Sequence, residues 1–235
     1  MRHARVERWA CGDSFVHRLH PAAKILATLS ILIAVSILRH NALAGCAAFV
    51  ALAVAMASIA KLPVGQLLFT AAGILPFAAS FALITWLVGQ PERAVLLVTR
   101  SYTSSLFAVL LIATTPMPSL ISGLESLRAP RFLLLVMQFL YRYLVVLFEE
   151  AGAIRDAGAS RGGSVRSLQL RQAGAAAGVL FARAYQRANA IHQAMLARGF
   201  EGTIPTISKP SFQFRDGLYA ACVAAVSITL GIWIR

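Results

Sequence analysis

Residues 150–200 read EAGAIRDAGASRGGSVRSLQLRQAGAAAGVLFARAYQRANAIHQAMLARGF, and their reading decides how the chain is organised. The stretch is basic, rich in Ala and Gly, and too polar to sit inside lipid, although the protein around it is strongly apolar. It holds two similar endings, Ser160-Arg161-Gly162 and Ala197-Arg198-Gly199. Each follows a helical-looking segment and has Gly just past the Arg, where a helix stops. We read the stretch as a pair of helices carrying two equivalent arginines to a partner protein. The rest of the chain is then a membrane base for that pair.

Working outward, 58% of the 235 residues are hydrophobic and 13% are charged, with a mean hydropathy of +0.71. Several long apolar runs point to a polytopic α-helical membrane protein, because only helices and closed barrels satisfy every backbone group in lipid. The short alternating segments of a β-barrel are missing. The net charge of +13 does not call for nucleic acid, since the positive-inside rule accounts for basic residues without any polyanion. Cys11, Cys46 and Cys222 are scattered and fit neither a disulfide framework nor a zinc site. Met1–His20 is too polar for a cleavable signal peptide.

The first twenty residues carry Arg2, Arg5, Arg8 and Arg18 and read as an amphipathic cytoplasmic lead-in, with Trp9 and Phe15 as interfacial anchors. Pro21 stands at a helix start, and Lys24 is near enough to the membrane edge to snorkel. Four spans follow, at about 22–38, 42–60, 67–88 and 94–113. The second closes on Lys61-Leu62-Pro63, the third contains a kinking Pro76, and Arg100 lies near the start of the fourth, within snorkelling reach. A short amphipathic helix comes next, with Leu120, Ile121, Leu124 and Leu127 on one face. A last span covers about 218–234, after a Pro205–Pro210 linker.

Residues 131–150 are apolar enough to span, yet Gln138, Arg142 and Glu149 form a polar stripe. Charge decides between the two readings. A span here would export nearly every later Arg, against the positive-inside rule. We therefore expect 131–161 to be a long helix on the cytoplasmic membrane face and 167–199 a second. The second has an apolar stripe of Ala177, Phe181, Ala184, Ala188, Ile191 and Met195. Gly174 with Gly178, and Gly158 with Gly162, have the small-xxx-small spacing that lets helix backbones cross closely. With five spans, eighteen of the 22 Lys and Arg fall on the cytoplasmic side, three outside, and Arg100 remains within the membrane.

The paired Arg-Gly endings admit two readings. They are surface arginines favoured by a helix C-terminus, or they are tips whose rigid guanidinium forks dock on a partner. Two equivalent tips suit a partner that is itself a dimer of similar subunits. At this point a resemblance is clear. The lead-in Ser14-Phe-Val-His17-Arg-Leu19-His-Pro21-Ala-Ala-Lys24, the segment Thr114-Thr115-Pro116 through Leu124, Leu127 and Pro130, and Tyr141-Arg142-Tyr143 with Glu149-Glu150 are three of its elements. Arg161-Gly162-Gly163 and Ala197-Arg198-Gly199-Phe200 are the others. Together they resemble the transmembrane T component of energy-coupling factor (ECF) transporters, of the CbiQ cobalt transport type, over nearly the whole chain. Ser160 stands where that family often has Ala.

The resemblance implies an all-α membrane protein of about five transmembrane helices plus a cytoplasmic coupling region of two long crossed helices and one short helix. We divide it at 1–115, 116–204 and 205–235. It implies a non-catalytic subunit of a bacterial cytoplasmic-membrane importer, with the N-terminus inside. Arg161 would dock in one ATP-binding-cassette subunit and Arg198 in a second, with Ser160, Gly162, Ala197 and Gly199 around them. ATP and Mg would belong to those ATPase subunits. Cobalt would belong to a substrate-binding membrane subunit, the S component, with a small accessory membrane subunit as a further partner. Nickel and biotin are the next substrates in order. His3, His17, His20, His40 and His192 are scattered, so no metal ligand set is expected in this chain. A different class, an intramembrane lipid-modifying enzyme, would need several acidic metal ligands at fixed spacing, and only Glu149, Glu150 and Asp156 cluster. The P-loop of an ATPase and the GxSxG of a serine hydrolase are both missing from the sequence.

Overall fold

Helix stops written into the sequence lay out the chain. The structure is a computed structural model and describes residue 14 and residues 19–37, 42–160, 166–202 and 214–233. The Trp9 and Phe15 anchors, Arg161, Gly162 and the Pro205–Pro210 linker lie outside these residues. The fold is all-α, that of a polytopic membrane protein, with no strand among the described residues. Helix α1 is Pro21–Ile37, α2 Ala42–Ile59, α3 Val64–Ala71, α4 Leu75–Leu87 and α5 Pro91–Thr114. Then come α6 Met117–Ser126, α7 Arg131–Ser160, α8 Arg166–Ala197 and α9 Phe214–Trp233.

Helix α2 ends where Lys61 turns left-handed, at φ 55°. The Lys61 N–H donates to Ser58 O and the Leu62 N–H to Ala57 O, both at 3.0 Å, and Pro63 prevents continuation. Pro76 divides the third expected span. It has no N–H for the carbonyl one turn before it, so α3 gives way to a 3-10 turn over Ala72–Ile74 before α4 begins. Helix α5 supplies side-chain donors at the break: Ser105 Oγ to Ala71 O at 3.1 Å and Tyr102 Oη to Leu68 O at 3.5 Å. This is how a broken helix is tolerated in lipid, and it gives the hydroxyl-rich run Thr99–Ser105 a structural task.

The chain forms two compact units, one of residues up to Arg128 together with those from Lys209, the other Ala129–Ser208. The first has a core of Ile31 and Val35 from α1, Phe49 and Ala53 from α2, Leu67 from α3, and Leu106 and Phe107 from α5. Phe49 and Phe107 meet edge to face, their centroids 6.5 Å apart. Helix α9 packs along α1. Helix α6, which the sequence grouped with the long helices, also packs on α1 in this unit. A Cβ added at Gly123 would lie 3.0 Å from Ala22 N and 3.1 Å from Pro21 C, so only glycine allows the approach.

The start of α1 is a buried polar knot. His20 Nδ1 accepts the Ala22 N–H at 3.2 Å, and the His20 N–H donates to Asp216 Oδ1 at 2.9 Å. Lys24 does not snorkel. It is 4% exposed, and its Nζ donates to Thr114 O at 3.0 Å. That carbonyl is among the last four of α5, which have no helical donor. The Asp216 carboxylate, itself buried, acts on the same ammonium. A buried cation is retained because a carbonyl and a countercharge replace its water.

The second unit is α7 with α8. Among the described residues three stretches are long and apolar enough to cross a membrane: Val64–Leu87, Pro91–Thr114 and Arg131–Ser160. Pro21–Ile37 and Leu43–Ile59 are apolar but shorter. The third long stretch is α7, laid by charge on the cytoplasmic face in the sequence reading. By length and composition it also suits a span.

Candidate functional site

The second unit brings together the residues singled out in 150–200. Helix α8 stops at Ala197-Arg198-Gly199 by a two-bond cap. The Gly199 N–H donates to Leu196 O and the Phe200 N–H to Met195 O, both at 3.0 Å. Gly199 sits at φ 76°, a conformation an L side chain adopts only at a steric cost. The cap turns the chain away and leaves the Arg198 side chain exposed at the helix end. Its fork can there receive carboxylates or carbonyls of another surface. At the other ending, Ser160 is the last described residue of α7, and its Oγ donates to Asp156 O at 3.0 Å. Arg161 and Gly162 lie beyond the described residues.

Between these endings α7 and α8 are joined by charge. Glu150 of α7 accepts Arg183 Nη1 at 3.2 Å, and Arg187 Nη2 stands 3.7 Å from its second oxygen. The arginines are one helical turn apart, so both reach a single carboxylate. The sequence reading placed Glu149 in a polar stripe and Glu149-Glu150 among the residues of the resemblance and of an acidic cluster with Asp156. The signal for the clamp was present, as Arg183 and Arg187 are spaced i, i+4, but nothing local named their partner thirty-three residues away.

Beside the clamp lies an apolar groove of about 320 Å³, lined by Phe139, Tyr143, Val146 and Leu147 from α7 and by Ala184, Ala188, Ile191 and Met195 from α8. Those four α8 residues belong to the stripe expected from the sequence. Phe181 of the same stripe is exposed and stacks on Tyr185. At the glycines expected to lie at a helix crossing, Gly158, Gly174 and Gly178, a Cβ would meet no described atom within 4 Å beyond its own helix backbone. Among the glycines whose surroundings are described, the close approach that depends on a glycine is at Gly123 in the first unit, which the sequence reading missed. Along its length α7 also exposes Phe132, Leu133, Leu140, Val145 and Phe148. No group of three or more His, Cys, Asp or Glu side chains suited to a metal occurs among the described residues.

Among the described residues the unit thus holds two long helices joined part-way along by ion pairs, with an exposed Arg198 at the end of α8. The family model for CbiQ, described as cobalt transport protein, matches residues 12–208. The chain is similar to the cobalt transport protein CbiQ of Rhodobacter capsulatus, 31% identical over 153 residues. That match covers 65% of this chain and 62% of the Rhodobacter protein's length. It is also similar to the energy-coupling factor transporter transmembrane protein EcfT of Brevibacillus brevis, 27% identical over 99% of each chain.

Proposed function

The chain belongs to the CbiQ family of cobalt transport proteins, and from that premise we propose that it is the transmembrane T component of an ATP-driven ECF-type importer. In this reading it catalyses nothing. Two ATP-binding-cassette subunits hydrolyse MgATP and each receive one ending, Arg161 in one and Arg198 in the other. A separate substrate-binding membrane subunit holds the cargo, and cobalt is the first candidate because the relatives carry that name. A small accessory membrane subunit completes the assembly. The N-terminus lies in the cytoplasm of a bacterial inner membrane, so that the basic endings face the ATPases.

The observation that carries the reading is the exposed Arg198 set by the Gly199 cap at the end of a thirty-two-residue helix. A guanidinium at such a tip gains two charge-assisted hydrogen bonds when it enters an acidic or carbonyl-lined groove. Closure of the ATPase pair on ATP would draw the two grooves together and carry both tips with them. The long helices convert that movement into a shift of the apolar faces of α7 and α8, where the membrane partner rests.

The test is co-purification in mild detergent with the ATPase and membrane subunits of its operon. Wild type should retain both, with ATP hydrolysis in the complex. Arg198→Glu and Arg161→Glu should each weaken ATPase capture by roughly 100-fold, the loss of about 3 kcal/mol expected when one side of a desolvated charge pair is reversed. Wild-type capture by both variants would sink the docking assignment.

A further inference from the structure

We propose that Glu150 is a positioning residue: it pins α7 to α8 and thereby fixes the separation of the two Arg-Gly endings. The inference rests on the lever reading above and names the pivot within it.

Its side chain is only 14% exposed, while Arg183 and Arg187 are 57% and 47% exposed. An ordinary surface pair leaves all its members wet. Here the carboxylate is enclosed, with its Oε2 receiving no hydrogen bond and Arg187 standing over it at 3.7 Å. The ion pairs that join the two helices among the described residues converge on this one carboxylate. On one side of it the two helices line the apolar groove. On the other, a Cβ built at Gly158, Gly174 or Gly178 meets no described atom within 4 Å beyond its own helix backbone, so these three glycines make no close crossing with the described residues.

Arc lengths place the pin between the endings. Ser160 is ten residues past Glu150, about 15 Å along the helix. Arg198 is eleven to fifteen residues past the two arginines, roughly 17–22 Å. Only residues 161–165 join α7 to α8, a reach of at most about 20 Å. The last part of α7 and the first part of α8 must therefore leave the pin toward the same side. The rest of α8, with Arg198, leaves toward the other. The two endings are thus arms of similar length on opposite sides of one ionic contact, and an angle fixed there fixes both.

The test uses the full chain with Cys11, Cys46 and Cys222 replaced by Ser and spin labels at Ala157→Cys and Ala194→Cys, two exposed helical positions. The wild-type pin should give one narrow distance distribution by pulsed electron resonance. Glu150→Gln, which keeps size and loses charge, should broaden it at least twofold, as should Arg183→Gln with Arg187→Gln. Exchanging the charges, Glu150→Arg with Arg183→Glu and Arg187→Glu, should restore the narrow distribution. In the assembled importer Glu150→Gln should keep ATPase capture within twofold of wild type while cargo moved per ATP falls roughly tenfold. An unchanged distribution in Glu150→Gln, or broadening that the exchange does not repair, overturns the pin. If the labels respond as expected but the wild-type chain captures no ATPase, the pin stands and the lever reading falls.

Discussion

Helix α1 of the first unit buries eight of its seventeen residues within the chain, whereas α7 of the second buries one of thirty. Both are apolar, so composition does not explain the difference. Helix α1 is enclosed by α5, α6 and α9 and starts in a buried polar knot. Helix α7 touches its own chain mainly through α8, and its most enclosed charged side chain is the clamp residue Glu150. The contrast separates two uses of an apolar helix. In the first unit apolar surface is consumed inside the chain and fixes a base. In the second it stays exposed within this chain, and the Glu150 ion pairs tie the two helices together. Residues of the first unit should therefore govern the stability of the purified chain, and residues of the second its assembly.

The largest break in that division should come from the polar knot. Asp216→Asn leaves Lys24 buried beside Thr114 O without its countercharge. Loss of one partner from such a pair costs about 3–5 kcal/mol. Thermal unfolding of the purified chain in detergent should shift down by several degrees or more. Lys24→Met should do the same, and the double variant should recover part of the loss, because removing both charges leaves neither stranded. A stability equal to wild type in both single variants would mean the knot is wet and the first unit is held by its apolar core alone. Next in size is Gly123→Val. Its side chain would enter the backbone of Pro21 and Ala22, and overpacking of that kind costs about 1–3 kcal/mol. The same measurement should record it without any change in ATPase capture by the chain that remains folded.

In the second unit the expected effects change kind. Gly199→Ala puts a side chain at φ 76°, at a cost of about 1–2 kcal/mol per residue. The strain falls on the last turn of α8, where few contacts depend on it. The unfolding temperature should stay near wild type while ATPase capture drops about fivefold or more through misplacement of Arg198. A fall in unfolding temperature as large as that of Gly123→Val would erase the distinction between the units.

How much of this was legible before the structure depends on how local each cause is. The stops at Lys61-Leu62-Pro63 and at Gly199, the break at Pro76, and the two long helices after residue 130 follow from neighbouring residues, so the sequence shows them. Lys24 was misread because its partners are Thr114 and Asp216, 90 and 192 positions away, and a lysine near a membrane edge snorkels unless such partners exist. Gly123 is a lone glycine in a short amphipathic helix, with no pattern to mark it. Glu150 was seen as polar but not as a clamp, since only the fold brings α8 to it. The Gly158, Gly174 and Gly178 spacings were visible, yet spacing states only that a backbone can come close, not whose backbone does.

That last point yields the smallest and sharpest test. Among the described residues nothing opposes a Cβ at Gly158, and replacing a helical glycine by alanine gains up to about 1 kcal/mol of helix propensity, less near a helix end. Gly158→Ala should therefore leave the purified chain as stable as wild type or slightly more so, by thermal unfolding in detergent. The informative reading comes from the assembled complex. If a partner helix crosses α7 at Gly158, the added methyl should weaken recovery of the membrane subunit several-fold while ATPase capture is kept, because the obstruction is steric and lies away from the arginine tips. If recovery of every subunit is unchanged, the glycine spacing is only a feature of an Ala-rich helix, and the partner must be held by the apolar side chains of α7 and the groove beside Glu150.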